Sequence, residues 1–322
     1  MGTDGATMWR PVLQWLEMSG DIKMRRAIGS HGTVHGVDGL QQRHDAAQTL
    51  PALFCDSAGC AAPLIFVPAR PLPKTDPAYP APMPGYFALD KGAAHAPGCR
   101  YNVAGHLAEV LDAAAASDPA FVQRLEDGRH ELRLLALHQG LKRGGGALPE
   151  QQMRLLSTLL VLRAMCGNDA LLADRVVLRL GKKKLAWDAF FHDPAHYDEA
   201  WARLDAASNE VPMALLGTVR SHRSPPPGTG AGATYLNCAP KYQKTGVMDR
   251  REFYEVSVGH DDAAWLQRFP VGAEIVMFGL WRQGNSHTST RPHPTDPRRS
   301  ITNVTHKLAL RPGSPGQLAV VA

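Results

Sequence analysis

The chain has 322 residues and a net charge of +5; 44% of its residues are hydrophobic and 20% are charged, as in globular proteins with hydrophobic cores. No run approaches the ~18 consecutive apolar residues of a transmembrane helix, and the first residues lack the apolar stretch and cleavage site of a signal peptide. The five cysteines are an odd number, which fits a reducing compartment better than a secreted disulfide scaffold. We therefore expect a cytoplasmic protein without a membrane span. Its richness in Ala, Gly, Pro and Arg is typical of a GC-rich bacterial genome.

Two short clusters of cysteine and histidine form the most informative stretch. The first reads Cys55-Asp-Ser-Ala-Gly-Cys60 and the second reads His95-Ala-Pro-Gly-Cys99. Three thiolates and one imidazole close a tetrahedron around zinc and leave no position for substrate, so the metal would be structural. The alternative is that these cysteines are small buried hydrophobic residues, as cysteines in cytosolic proteins often are. The predicted ligands of a structural zinc ion are Cys55, Cys60, His95 and Cys99.

Five regions are predicted along the chain, with the fold class α+β. Residues 1–23 are a peripheral segment, and residues 24–105 are a zinc-binding module that begins with a β-hairpin and contains an exposed Pro-rich loop over 68–84. Residues 106–210 have helical spacing of apolar side chains and are expected to form a mainly helical connector. Residues 211–312 are expected to form a β-barrel, followed by a tail over 313–322.

The barrel is predicted from an apolar period of two that begins near Pro212. Three strands, a short helical turn and two more strands follow in order, which is typical of a five-stranded OB barrel. Another small barrel or a sandwich is the alternative. The predicted strands are Met213–Arg220, Ala233–Cys238, Glu252–Val258, Glu274–Trp281 and Ile301–Leu310, with the helical turn over Asp261–Phe269.

The barrel region carries the positive charge of the chain. Residues 212–312 hold 13 Lys or Arg against 7 Asp or Glu. Strand alternation turns Thr218, Arg220 and His222 away from the core, among other polar and aromatic side chains. Rings that stack on bases, next to cations that neutralise phosphates, are what an unpaired nucleic-acid strand requires. The predicted base-stacking residues are Tyr235, Phe253 and Trp281, and the predicted phosphate contacts are Arg220, Lys241, Lys244, Arg250, Arg298, Arg299 and Lys307.

These patterns predict a non-enzymatic, zinc-containing protein that binds nucleic acid, with single-stranded DNA as the expected partner. Its setting would be a bacterial mobile-element, replication or defence assembly. One alternative is a scaffold that recruits protein partners through the barrel and the Pro-rich loops. A second is a metal-dependent nuclease whose acidic residues, such as Asp127, Glu131 or Asp193, come together only in the fold.

The stretch from Ala27 through Cys99 resembles the zinc module of the competence protein CoiA-like family. In that family a hairpin precedes a cysteine pair, and a histidine-bearing segment follows a second hairpin; Cys55, Cys60 and His95 lie at comparable places. The sequence departs from the family in its longer cysteine spacing, in having His95-Ala-Pro-Gly-Cys99 where the family has His-Phe-Ala-His, and in lacking the family's nuclease motif after residue 105. The resemblance implies a DNA-handling context without nuclease activity. The C-terminal part resembles OB proteins that bind single strands, in pattern alone.

Overall fold

A computed structural model describes residues 22–69, 85–143, 149–166, 169–206, 210–224, 233–244, 247–293, 296 and 298–321. Most of the predicted peripheral segment (residues 1–21) and most of the predicted Pro-rich loop (residues 70–84) lie outside these ranges. The architecture is mixed α+β and is dominated by sheets, in agreement with the predicted fold class. The chain divides into two compact units: Met1–Ala113 with Met165–Arg175 is the first unit, and Ala114–Ala164 with Val176–Ala322 is the second unit. No helix in the described ranges is long and apolar enough to cross a membrane.

The first unit is built on a five-stranded antiparallel sheet with the strand order β2-β1-β3-β4-β5. Ile28 pairs with Val34 across the turn that joins the first two strands. Phe87 and Leu64 are buried, as expected for strands with one face against a core. The elements are β1 (Arg26–Gly29), β2 (Val34–Gly36), α1 (Val37–Asp45), β3 (Leu53–Cys55), β4 (Pro63–Val67), β5 (Tyr86–Leu89) and the start of α2 (Val103–Ser117).

The region predicted as a mainly helical connector also contains a four-stranded sheet. Its order is β6-β7-β8-β9, with β7 and β8 parallel. The run from Glu131 to Gln139 has no single period, because it holds the end of one strand and the start of one helix. The elements are β6 (Val122–Arg124), β7 (His130–Arg133), α3 (Leu135–Lys142), α4 (Glu150–Met165), α5 (Ala170–Ala173), β8 (Val176–Leu180) and β9 (Lys183–Leu185).

The rest of the second unit is a large sheet with helices beside it. All five strands predicted for the barrel are present, and so is the predicted helical turn, where the Asp262 carboxylate accepts a hydrogen bond from the Trp265 amide at 3.0 Å. The elements are α6 (Trp187–Phe190), β10 (Phe191–His192), α7 (Tyr197–Ala206), β11 (Val211–Arg223), β12 (Thr234–Cys238), β13 (Lys241–Lys244), β14 (Arg250–His260), α8 (Ala263–Gln267), β15 (Glu274–Gln283), β16 (His287–Pro292), β17 (Ser300–Leu310) and β18 (Leu318–Val320).

Five of these strands pair in a path that returns to its start. The path runs β11-β12-β14-β17-β15 and closes where β15 pairs with β11. The β14–β17 pair is parallel and the other four pairs are antiparallel. Inside the closed path lie alternate residues such as Met213, Leu215 and Val256, all fully buried, as their alternation predicts.

Two segments expected to be loops form additional strands. β13 pairs with the first residues of β14, and β16 pairs with the first residues of β17. These pairings extend β14 and β17 beyond the closed path as two hairpins. Every residue of β16 is exposed, so no apolar alternation in its sequence could predict it.

Candidate metal centre and cationic groove

The four predicted zinc ligands lie together in the first unit. The ligand atoms of Cys55, Cys60, His95 and Cys99 all lie within 4.8 Å of one another. The Cys55 and Cys99 sulfurs are 3.6 Å apart, and His95 Nδ1 lies 3.5 Å from the sulfurs of both Cys60 and Cys99. The three thiols are buried. This cluster can hold a metal ion.

Local backbone geometry brings the two halves of the cluster together. Cys55 ends β3, and the chain turns back at Gly59, whose φ of +75° is in the left-handed region that favours glycine. Backbone amides then approach two of the sulfurs: Ala96 N lies 3.5 Å from Cys60 Sγ, and Tyr101 N lies 3.4 Å from Cys99 Sγ. Hydrogen bonds from amides stabilise the thiolate relative to the thiol, and the thiolate is the form that binds metal.

The protonation of the cluster depends on burial and on these amides. Burial raises the pKa of the Cys55 thiol to about 12. The pKa of Cys60 lies below its ordinary value: burial raises it, but the amides of Ala96 and Ala62 and the side chains of Cys99 and Cys55 together lower it by more. Burial lowers the pKa of His95, which keeps the imidazole neutral and able to bind metal. A bound cation must therefore displace the proton of Cys55.

An ion pair between residues adjacent to the ligands connects the two halves of the cluster. Asp56 follows the first ligand and Arg100 follows the last; Arg100 donates to the Asp56 carboxylate at 2.6 Å. The Arg100 guanidinium also lies over the Tyr101 ring, 4.7 Å from its centroid. Asp56 is almost fully buried and Arg100 is partly exposed, so the pair joins two segments that are distant in sequence.

The second unit contains a groove of about 860 Å³ on the outer face of the closed strands. Its walls come from β11, β12, β14, β17 and the end of β15. Among the described residues that line it, Glu255 supplies the one carboxylate. The cations that line it are Arg220, Arg223, Arg282, Lys307 and Arg311.

A β-bulge sets which side chains of β11 face the groove. Val219 pairs with Cys238 but Ser221 pairs with Asn237, so Arg220 is the extra residue. Beyond the bulge the alternation is shifted: Arg223 faces the groove, and His222 faces helix α8, where its Nε2 lies 3.1 Å from the Leu266 carbonyl. The outward direction predicted for His222 was therefore wrong, and Arg223 was missed for the same reason.

Tyr235 is the exposed aromatic ring of the groove. It is 45% exposed and pairs across the strands with Gly259. A Cβ atom at position 259 would lie 2.9 Å from Tyr235 Cε1, so the ring lies over the bare glycine backbone. Because Gly259 has no side chain, there is room for the Tyr235 ring on the groove wall.

The groove cations differ in their partners. Arg220 binds Glu255 at 2.6 Å and Arg311 binds Asp261 at 2.7 Å. Arg223, Arg282 and Lys307 form no ion pair with any residue in the described ranges. A phosphate can therefore bind these three without breaking an ion pair between described residues.

The remaining predicted phosphate contacts lie around the two hairpins rather than in the groove. Arg250 pairs with Glu252 at 2.9 Å, and Arg299 binds both carboxylate oxygens of Asp249 at 2.8 and 2.7 Å. Phe253 packs against the Tyr242 ring with centroids 5.5 Å apart. Lys241 and Lys244 lie on β13, the side chain of Lys244 being outside the described part, and Arg298 is exposed just before β17.

Trp281 is a core residue, which corrects its prediction as a stacking surface. Its exposure is 0%, and its indole N–H donates to the Met213 carbonyl at 2.9 Å. Because the indole has this internal acceptor, the whole side chain can be buried at no cost in unsatisfied polar groups. A base cannot reach the ring.

The acidic residues of the nuclease alternative are not gathered into one site. Asp127 pairs with Arg129, Glu131 bridges two arginines, and Asp193 pairs with His196 at 2.8 Å. Within the described ranges, the Cys/His cluster is the one group of three or more potential metal-ligating side chains.

No protein-family model matches this sequence, and no curated protein matches it either. The resemblance of the first unit to CoiA-like competence proteins thus gains no support from these comparisons. Among solved structures, a small single-stranded DNA-binding protein from Streptomyces coelicolor matches 31% of this chain and 90% of its own, with 14% identity and a TM-score of 0.17. With a TM-score this low, the similarity indicates neither a shared fold nor a shared function.

Proposed function

We propose that this protein binds single-stranded DNA in the cationic groove of a five-stranded OB-like barrel. The observation that carries the proposal is the combination of an exposed ring, Tyr235, with three cations that form no ion pair within the described ranges. In the same proposal a zinc ion stabilises the first unit, and the protein belongs to a bacterial mobile-element, replication or defence assembly.

The strand connections support an OB-like barrel. Counting only the five strands of the closed path, the first pairs with the second and the fourth, and the third pairs in parallel with the fifth. A short helix, α8, lies between the third and fourth strands. In OB folds a strand face and its flanking loops bind oligonucleotides. The groove lies on such a face, and its lining includes Ser224 after β11 and Ala233 before β12.

The chemistry of the groove favours an unpaired strand over a duplex. A ring such as Tyr235 stacks on the face of a base, and in a duplex those faces are covered by neighbouring base pairs. Arg223, Arg282 and Lys307 then neutralise phosphates and release counterions, which makes binding dependent on salt. Arg220 and Lys307, both predicted as contacts, lie on the groove wall next to Glu255.

The hairpin residues are also proposed to contact the strand, but more weakly than the groove residues. Arg250 and Arg299 already bind carboxylates, so a phosphate must compete with an existing ion pair. Phe253 lies two residues before Glu255 on β14 and contacts Tyr242. The proposed outer contacts are Lys241, Lys244, Arg250, Phe253, Arg298 and Arg299.

Tyr235→Ala is expected to weaken binding of single-stranded DNA by about 1–3 kcal/mol, the usual worth of one base stacked on an aromatic ring. Tyr235→Phe keeps the ring and is expected to bind nearly as well as the unchanged protein. Fluorescence anisotropy with labelled oligonucleotides, single- and double-stranded, DNA and RNA, measures both variants. If Tyr235→Ala and Tyr235→Phe bound with equal affinity, the Tyr235 ring would not stack on a base of the bound strand. Failure of every oligonucleotide to bind, even at low salt, would refute the proposed function.

Gly259→Ala tests the placement of the ring without removing it. The new methyl group would meet Tyr235 Cε1 at 2.9 Å, closer than carbon atoms approach without strain, so the ring must swing away. We expect the affinity for single-stranded DNA to fall by about 1 kcal/mol, at the lower end of the range for a lost stack. The melting temperature serves as control, since a flexible side chain can move without loss of the barrel. An unchanged affinity would show that the position of the ring is unimportant.

We propose zinc as the ion of the metal centre. With zinc–sulfur and zinc–nitrogen bonds of about 2.3 and 2.0 Å, a tetrahedron has sulfur–sulfur edges of about 3.8 Å and sulfur–nitrogen edges of about 3.5 Å. The sulfur–sulfur distance of 3.6 Å and the two sulfur–nitrogen distances of 3.5 Å are close to these edges. Three thiolates with one imidazole is also a donor set of structural zinc sites.

A further inference from the structure

The floor of the cationic groove contains an anion, which phosphate binding alone does not explain. The Glu255 side chain is only 10% exposed, and one of its oxygens accepts from Arg220 at 2.6 Å. On the parallel neighbour β17, Lys307 lies directly opposite Glu255. A groove that contacted only phosphates would be weakened by a carboxylate, because like charges repel. Arg220 binds one of its two oxygens, so the other is the acceptor that a hydrogen-bond donor on a ligand can match.

The neighbouring side chains form an ordered polar floor. Ser257 donates to Asn237 Oδ1 at 2.9 Å, and both residues line the groove. The same two strands carry Tyr235 opposite Gly259, two residues along from that pair. Two residues of a strand span about 7 Å. The stacking ring and the polar floor are thus about as far apart as successive nucleotides of an extended strand.

We propose that the Arg220–Glu255 pair reads guanine at one position of the bound strand; this inference rests on the proposed function. The Watson–Crick edge of an unpaired guanine presents one acceptor, O6, followed by two donors, N1–H and the N2 amino group. Arg220 supplies a donor next to the two oxygens of Glu255, so all three groups of the guanine edge find a partner. Adenine and cytosine each present a single amino group on that edge, and thymine presents a single N–H. Recognition of such edges is the general route to sequence preference in unpaired strands.

The test compares oligothymidylates that carry guanine, inosine, adenine or cytosine at one central position. Guanine is expected to bind about ten- to a hundredfold more tightly than adenine or cytosine, as for other bidentate base contacts. Inosine lacks only the N2 amino group and is expected to be intermediate. This comparison uses the unchanged protein, so it does not depend on the folding of any variant.

Glu255→Gln adds the second arm of the test. The amide replaces one acceptor with a donor, so we expect the preference for guanine to disappear, while plain oligothymidylate binds more tightly because an anion has left the groove. Equal affinity for all four bases, in a protein whose oligothymidylate binding still depends on Tyr235, would overturn the guanine proposal and leave the proposed function intact. A guanine preference that survives in Glu255→Gln would also overturn it. Failure of all oligonucleotides to bind would overturn both proposals.

Discussion

Cys99→Ser is expected to empty the metal centre and to unfold the sheet of the first unit. Cys99 is 1% exposed and lies 44 residues from Cys55, so the metal would join segments that are distant in sequence. A serine hydroxyl does not replace a thiolate as a zinc ligand, and structural zinc contributes about 10–16 kcal/mol in zinc-finger peptides. That contribution matches or exceeds the whole stability of a typical domain, about 5–15 kcal/mol. Elemental analysis for zinc and thermal unfolding measure the two effects.

Cys238→Ala is the matched control for the metal centre. Cys238 is fully buried in the core of the second unit, and burial raises the pKa of its thiol to about 12, so it stays protonated and inert. We expect this variant to keep the zinc content of the unchanged protein and to lose only a small amount of stability. If Cys99→Ser retained zinc at the same ratio as Cys238→Ala, the four-ligand assignment would be wrong.

The metal centre was the part of the site that the sequence predicted best, for a physical reason. Ligand residues must be of particular chemical types at short spacings, and both Cys55 to Cys60 and His95 to Cys99 meet that condition. The turn at Gly59 could be foreseen, since only glycine adopts a φ of +75° without strain. What the sequence could not give is the antiparallel register of β3, β4 and β5, which brings the two clusters together.

The groove was predicted only in part, because a single bulge changes the direction of every later side chain on its strand. Alternation along β11 correctly predicted that Arg220 points outward, but it failed at the next residues, where His222 and Arg223 exchange directions. This bulge has Arg220 rather than a glycine as its extra residue, so the sequence does not mark it. The exposed strand β16 was missed for a related reason: without an apolar face it has no period to detect.

Trp281 shows a different limit of sequence reasoning. Tryptophan is common both in cores and at binding surfaces, and its placement depends on whether the indole N–H finds an acceptor. Here the acceptor is the Met213 carbonyl, 68 residues away in sequence. Only the β11–β15 pairing brings the two together. The residue type alone therefore left two roles open, a core residue or a ring that stacks on a base. The β11–β15 pairing places Trp281 in the core.

Replacement of Arg223, Arg282 and Lys307 by glutamine is expected to cause the largest loss of affinity among the groove variants. All three line the groove, and none forms an ion pair within the described ranges, so each is available to a phosphate. Hydrogen bonds to charged groups are each worth about 1.5 kcal/mol, so the loss of three predicts an affinity lower by about a thousandfold. Each lost contact with a single strand also lowers the slope of log affinity against log salt by about 0.7, and the triple variant should lose about 2 from that slope.

The basic turn Lys182-Lys183-Lys184 supplies the matched control. Its three lysines are exposed and do not line the groove, and their replacement by glutamine lowers the net charge of +5 by the same three units. If net charge alone attracted the strand, both triple variants would lose affinity and salt dependence equally. If the groove holds the strand, the control keeps nearly all of its affinity and slope, because charges outside the contact surface are screened beyond about 8–10 Å at moderate salt. Titrations of both variants at several salt concentrations separate the two results, and equal losses would refute the groove as the binding site.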